Sequence, residues 1–278
     1  ECGRRVGRRV RGVAVANFTA KDVQRLRQDT GAGMMDAKRA LEECDGDMDA
    51  AAQWLREHGL AQVAKREDRE ATQGAVSVVK DHAVAAIVEL RCETDFVAKA
   101  AEFVAVADDL AALVAAEGED AITERAAEVA RLATTLKENI SVGRVFRLEA
   151  KDGQVVDTYL HQQSGRGVNA VAVVISGGDQ DLAHEVALTA AFSRPQYVRR
   201  EDVPAEEVAE ERQTLEALSR NEGKPEAALE KIVEGRLTGW FKERVLLEQP
   251  SAHDDKKTVA AMLGSGDVVA FAQVVIGP

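Results

Sequence analysis

Side chains that carry covalent or metal chemistry are thinly spread in this chain. His58, His82, His161, His184 and His253 stand far apart, and none pairs with a cysteine or carboxylate at a metal-ligand spacing. Cys2, Cys44 and Cys92 are odd in number and widely separated, which fits reduced cytosolic thiols better than a disulfide framework. There is no Gly-x-Ser-x-Gly nucleophile turn and no Gly-x-x-x-x-Gly-Lys-Ser/Thr phosphate loop. Gly264-Ser265-Gly266 lacks the third glycine and the helix that a dinucleotide loop requires. No catalytic residue, metal or cofactor is therefore expected. The stretch that does concentrate interaction chemistry is Glu93-Thr94-Asp95-Phe96-Val97-Ala98-Lys99. A carboxylate beside an aromatic ring, Asp95 with Phe96, can form a prong that enters a partner protein. The same residues also fit a structural reading: Thr94 caps a helix, Asp95 sits where the helix dipole favours an anion, and Phe96 tucks under a sheet. Cys92 opens a third reading, a thiol-dependent enzyme, although a cysteine buried at a strand end is usually inert.

The flanking elements decide where such a prong would stand. Residues 74–80 and 83–91 read as two strands around a turn at Asp81-His82, and a helix over about 98–116 follows with Phe103, Val106, Leu110 and Leu113 on one face. The prong thus falls at a strand-to-helix junction, where residues project from a rigid sheet. A second helix over 124–137 turns Val129, Leu132 and Leu136 inward. Strands over 142–149 and 154–161 read as a hairpin closed by Lys151-Asp152-Gly153. A strand over 170–176 and a helix over 181–191 follow, so this block repeats the first in outline. Residues 204–247 form two charged helices with thin apolar stripes: Val208, Leu215 and Leu218 on one, and Leu229, Ile232, Val233, Leu237 and Phe241 on the other. Such stripes predict a protruding helical hairpin. Lys256-Lys257-Thr258-Val259 opens a last helix, and residues 267–276 alternate as a terminal strand.

Ahead of these lies a helical block. Thr19 and Asp22 resemble a capping box before Val23 and Leu26, and Gly31 stops that helix. Met34, Ala37 and Leu41 share a face of a second helix, and Met48, Ala51 and Leu55 of a third. Three short helices make a three-helix bundle. Met34 and Met35 are adjacent and cannot both face its core, so one is expected inside and the other free as an adaptable contact.

Composition narrows the function classes. The chain has 278 residues, 45% hydrophobic and only 4% aromatic, enough for real cores. Its net charge of −12 and pI near 5.0 argue against a nucleic-acid surface, and no apolar run would span a bilayer. A protein partner is expected, with no nucleic acid and no membrane.

Residues 92–99, Cys-Glu-Thr-Asp-Phe-Val-Ala-Lys, closely resemble the Thr-Asp-Phe-Val signature of the bacterial elongation factor Ts family. Leu26-Arg27-Gln28-Asp29-Thr30-Gly31-Ala32-Gly33-Met34-Met35-Asp36-Ala37-Lys38-Arg39-Ala40-Leu41 is a second resembling stretch. A looser third runs from His161-Gln162-Gln163-Ser164-Gly165-Arg166-Gly167-Val168 to Pro195-Gln196-Tyr197-Val198-Arg199-Arg200-Glu201-Asp202-Val203-Pro204. The fourth is Gly239-Trp240-Phe241-Lys242-Glu243 with Leu247-Glu248-Gln249-Pro250. Two departures stand out: the histidine usual on the helix near 188–192 is missing, and Ser251 replaces a common phenylalanine. The resemblance implies a cytoplasmic protein that promotes GDP release from the GTPase elongation factor Tu, binding it in GDP-bound and nucleotide-free forms. It implies that Thr94, Asp95, Phe96 and Val97 reach beside the partner's magnesium site. It also implies that Gly31, Gly33, Met34 and Met35 dock a ubiquitin-associated-like bundle on the nucleotide domain, and that His161 and Arg166 are further contacts. Homodimerisation stays open.

The fold expected is α+β: the helical bundle, two similar α/β subdomains with small antiparallel sheets, and the protruding hairpin. Residues 1–15 are expected as a basic leader, non-native or disordered. Five arginines against one glutamate give residues 1–14 a charge of +4 and leave −16 to the rest. Val15-Ala16-Asn17 stands where the family begins Met-Ala-Asn, so the preceding residues read as translated upstream sequence. The bundle is assigned to 16–68, one core subdomain to 72–157, and the other to 158–278 with the hairpin at about 204–247. The alternative from another class is a helical adaptor whose bundle binds peptides or ubiquitin-like surfaces without affecting nucleotide exchange.

Overall fold

The computed structural model describes residues 17–64, 66 and 68–277. The basic leader expected over 1–15 lies outside the described residues. The chain divides into two compact units, one holding the segment up to Arg69 with Ala130–Asn139, the other Glu70–Val129 with Ile140–Pro278.

In the first unit α1 (Ala20–Thr30), α2 (Met34–Glu43) and α3 (Met48–Ala64) form the bundle. The capping box is present: Thr19 N–H donates to Asp22 Oδ2 at 2.7 Å, and Asp22 N–H to Thr19 Oγ1 at 3.4 Å. Gly31 closes α1 at φ 71°, a left-handed conformation that glycine adopts without steric cost. The core is small, with Val23, Leu26, Ala37, Ala40, Leu41 and Ala51 buried. The expectation of one interior methionine is corrected: Met34 is 51% and Met35 71% exposed. Both stand in the first turn of α2, and Ala37, Ala40 and Leu41 alone fill its inner face. The segment 130–139 joins this unit, a long-range addition that local periodicity does not announce.

The second unit is a sandwich of two three-stranded antiparallel sheets. β1 (Gln73–Asp81), β2 (Val84–Cys92) and β3 (Ser141–Glu149) form one in the order β1-β2-β3. β4 (Gln154–Gln163), β5 (Arg166–Ser176) and β6 (Asp267–Val275) form the other in the order β4-β5-β6. Their inner faces share one core, in which Val76, Ala85 and Ile87 meet Val156, Ala170, Ala172, Val174, Ala272 and Val274. On the outside α5 (Ala101–Glu117) covers β1 and β2, and α7 (Gln180–Ser193) covers β4 and β5. The short helix α4 (Asp95–Ala98) stands apart from α5, so the single helix expected from residue 98 is two elements broken at Lys99-Ala100.

The hairpin expected between 142–149 and 154–161 does not form. β2 and β5 are buried almost throughout, and a strand buried on both faces at a sheet centre needs a neighbour on each side. β3 is taken by β2, with Glu149 opposite Val84, and Lys151-Asp152-Gly153 carries the chain from one sheet to the other. The true hairpin joins β4 to β5 through Ser164 (φ 54°) and Gly165 (φ 80°), both positive as a two-residue primed turn requires. β4 is continuous across residue 157, so the division proposed at 157/158 would cut a strand. The repeat is hairpin, helix, returning strand: β1-β2-α5 with β3, and β4-β5-α7 with β6.

α6 (Ala126–Leu136) completes the helices before β3. α8 (Ala205–Asn221) and α9 (Glu226–Arg244) form the expected antiparallel helical hairpin, and α10 (Val259–Leu263) precedes β6. Along the hairpin seam Leu229, Val233, Leu237 and Phe241 are buried, whereas Leu218 faces out and Ser219 takes the interior position.

An ion cluster ties the first sheet together. Glu89, buried at a bulge in the β2–β3 pairing, accepts from Arg144 Nε and Nη2, each at 2.9 Å, from Arg144 N–H at 2.9 Å, and from Arg91 Nη2 at 3.0 Å. Burial alone would raise its pKa, but the hydrogen bonds from Arg144 and Arg91 hold it at about 2. A depressed carboxylate contributes stability that is present above its unfolded pKa near 4.5 and is lost as pH falls toward 2. We predict that Glu89→Gln lowers unfolding free energy by about 2–3 kcal/mol at pH 7. In urea titrations the two proteins should converge as pH approaches 2; a difference independent of pH would contradict the assignment.

Candidate functional site

β2 delivers the chain to the prong. Its last residue, Cys92, is buried with its thiol donating to the Thr94 carbonyl at 3.2 Å, and this placement removes it as an accessible nucleophile. Thr94 is extended (φ −121°, ψ 154°) and its hydroxyl accepts from Val97 N–H at 3.4 Å, capping α4. Asp95 occupies the first turn and accepts from Lys99 Nζ at 2.6 Å, an i,i+4 pair. The Lys99 bond, with a smaller contribution from Arg166, holds the Asp95 carboxyl below the usual range. Phe96 is 83% exposed. The cap of the structural reading is present, and the aromatic ring stands in solvent rather than under the sheet. Ala98 is the buried residue of the turn, so a small side chain seats α4 and leaves Phe96 free.

Arg166, expected as a partner contact, is interior. It lies at the start of β5, 9% exposed, and its guanidinium donates to the Gly74 carbonyl and, at 3.3 Å, to Gln73 Oε1. Gln73 and Gly74 lie opposite Cys92 and Arg91, so Arg166 braces the base from which the prong springs. Its neighbour Gly167 is required by close approach, because a Cβ there would overlap the Val76 carbonyl oxygen. His161 is exposed near the end of β4, opposite Asn169, in a strand rather than a turn. Val97 is half-buried beside the prong.

In the bundle, Gly31 and Gly33 bracket the α1–α2 turn and place Met34 and Met35 on the surface just beyond it. Asp36, in the same first turn, pairs with Lys137 Nζ at 2.9 Å. A Cβ on Gly33 would stand 3.0 Å from Asp36 Oδ2 and 3.3 Å from Lys137 Nζ, so glycine leaves room for that pair. The result is an exposed, flexible apolar pair on a turn fixed by glycine geometry and an ion pair.

Two polar clusters escaped the sequence reading. Buried Asp157 accepts from Lys80 Nζ at 2.6 Å and lies 2.7 Å from His184 Nδ1. Glu185 accepts from the Ser251 hydroxyl and meets His253 Nδ1; burial pushes its pKa up, but these bonds prevail and hold it below normal. Ser251, which stands where a phenylalanine is common, is thus turned inward. Among the described residues no group of three His, Cys, Asp or Glu side chains is placed to hold a metal, and no helix is long and apolar enough to cross a membrane.

Comparison with known proteins converges on one family. The family model described as elongation factor TS matches residues 93–278. The chain is similar to elongation factor Ts of Clavibacter sepedonicus, 44% identical over 277 residues that cover 95% of this chain and all of that protein. It is likewise similar to elongation factor Ts of Mycolicibacterium gilvum, 46% identical over 276 residues, covering 95% of this chain and 99% of the relative. For elongation factor Ts of Micrococcus luteus the identity is 42% over 287 residues, covering 95% and 100%.

The geometry separates two phenylalanines by their work in folding. Phe96→Ala should change unfolding free energy by no more than about 0.5 kcal/mol, as at other exposed sites. Phe103→Ala, which removes a fully buried ring of α5, should cost about 3–5 kcal/mol. Thermal melts of the two variants beside the parent check this, and a Phe96→Ala melt lowered as far as that of Phe103→Ala would refute it.

Proposed function

Because the chain belongs to the elongation factor Ts family of translation elongation factors, we propose that it promotes GDP release from elongation factor Tu by binding the nucleotide-free GTPase more tightly than the GDP form. The mechanism is linkage: a partner that favours the empty state must weaken GDP by the same factor. Asp95 and Phe96 act as a wedge beside the magnesium and phosphate site of the GTPase, the carboxylate competing for polar partners and the ring displacing apolar ones. The magnesium is the partner's, so this chain supplies no cofactor. Met34 and Met35, on the turn framed by Gly31 and Gly33, hold the nucleotide domain, and His161 is a further contact.

The single observation that carries this reading is the exposure of Phe96 on a capped, ion-paired turn. Leaving a large ring in water contributes nothing to the fold, whereas a pocket in a partner would recover its burial. Lys99 offsets the Asp95 charge in the free protein and can release it on binding, since both groups are exposed and the pair is weak in water.

The test is release of labelled GDP from purified elongation factor Tu at increasing concentrations of this chain. Saturable acceleration is expected, and Phe96→Ala should lower the maximal release rate more than tenfold, on the order of 2 kcal/mol. A chain that binds elongation factor Tu without accelerating release would overturn the exchange reading in favour of the adaptor.

A further inference from the structure

We propose that Phe192, on the last turn of α7, is a second aromatic anchor for the same GTPase that receives Phe96. The inference rests on the exchange-factor reading above and extends it to a new residue and a second layer of the sandwich. The chain has seven phenylalanines, and two of them stand almost wholly in water: Phe96 at 83% exposed and Phe192 at 85%. A lone exposed apolar side chain is ordinary. The argument lies in where these two stand.

Both occupy one end of the sandwich. The prong follows Cys92, which pairs with Gln73, so it marks the end where β1 begins and β2 finishes. Arg166 donates to Gly74 and Gln73, which brings the start of β5 to that same end. Arg144 of β3 donates to the Val275 carbonyl at 2.8 Å, which brings the end of β6 there as well. The opposite end is fixed independently by Lys80 of β1 against Asp157 of β4. α7 is oriented by two bonds. Near its start Gln180 reaches the Val156 carbonyl at 3.2 Å, and near its finish the Ala191 carbonyl accepts from Asn169 Nδ2 at 2.8 Å. Asn169 lies three residues into β5 from Arg166, so the last turn of α7, with Phe192, arrives at the prong end. Exposed His161 stands at the same end, paired across the strands with Asn169.

The spacing suits one interface. Packed sheets lie about 10 Å apart and a helix layer adds roughly as much, which sets the rings roughly 20 Å from one another. A standard interface buries about 800 Å² on each partner, a patch wide enough to hold both rings and His161. The occupant is therefore the GTPase that takes the prong, and it must offer an apolar pocket to Phe192 as well. Because Phe192 sits away from the Asp95-Phe96 wedge, it contributes to holding the complex rather than to displacing the nucleotide.

The experiment is the concentration dependence of labelled GDP release from elongation factor Tu, run with the full chain, Phe192→Ala, Phe192→Leu and Phe96→Ala. Phe192→Ala should raise the half-saturating concentration about tenfold or more with the maximal rate unchanged. Phe192→Leu should retain most of the affinity, while Phe96→Ala should lower the maximal rate. All three variants should melt with the parent. If Phe192→Ala saturates at the parent's concentration while Phe96→Ala is impaired, the Phe192 inference falls and the exchange reading stands. If the parent chain itself accelerates nothing, the exchange reading fails and the second anchor with it. If Phe192→Ala instead dissociates a dimer of this chain in sedimentation and leaves release unchanged, the ring serves a second copy and the inference is overturned.

Discussion

The close approach of β5 to β1 is the constraint on which the core depends. The two sheets share one apolar core, and at one end their backbones come together where Gly167 faces the Val76 carbonyl and Arg166 donates to Gly74. A buried guanidinium must be hydrogen-bonded to avoid a desolvation penalty of several kcal/mol. Here the acceptors are the backbone and side chain of the strand opposite Cys92 and Arg91. The same contact thus fixes the sandwich and sets a rigid base two residues before the capped turn. The wedge proposed above would need such a base, because a recognition group on a soft stem loses more freedom when it binds.

Much of this was legible in the residues. The capping box at Thr19 and Asp22, the αL stop at Gly31, the strands around Asp81-His82, the two helices of the hairpin and the alternating terminal strand all follow from local chemistry. The stretch from Thr94 to Lys99 stood out in the sequence, but whether Phe96 packs or projects was not separable there. Whether Phe96 lies under the sheet or in water depends on what fills the space beneath α4, and Ala98 fills it. Met34 and Met35 show the same limit. Helical spacing placed one inside, yet the bundle core is small enough that Ala37, Ala40 and Leu41 complete it without either.

What sequence could not give was pairing over distance. Lys151-Asp152-Gly153 has strong turn chemistry, and a local reading makes it close a hairpin. The burial of β2 and β5 on both faces decides otherwise, because each requires two neighbours and β3 and β6 return from far along the chain to supply them. Arg166, which the resemblance implied as a contact, is buried for a related reason: the primed turn ends at Gly165, and Arg166 is already the first residue of a strand whose side faces the other sheet.

These features divide labour between residues that hold the fold and residues that can be offered to a partner. Glu89, Asp157 and Arg166 are charged groups turned inward and satisfied, by Arg144, Lys80 and the Gly74 carbonyl, so they help keep the sandwich together. Phe96, Phe192, Met34 and Met35 are the reverse: large apolar side chains with almost no part in either core. For the exchange function proposed above this separation is an advantage. The exposed side chains would be desolvated in the proposed complex and returned to water afterwards while the scaffold's own packing stays intact. The cost is a few exposed apolar side chains, and the net charge of −12 helps keep copies of the chain from associating through them.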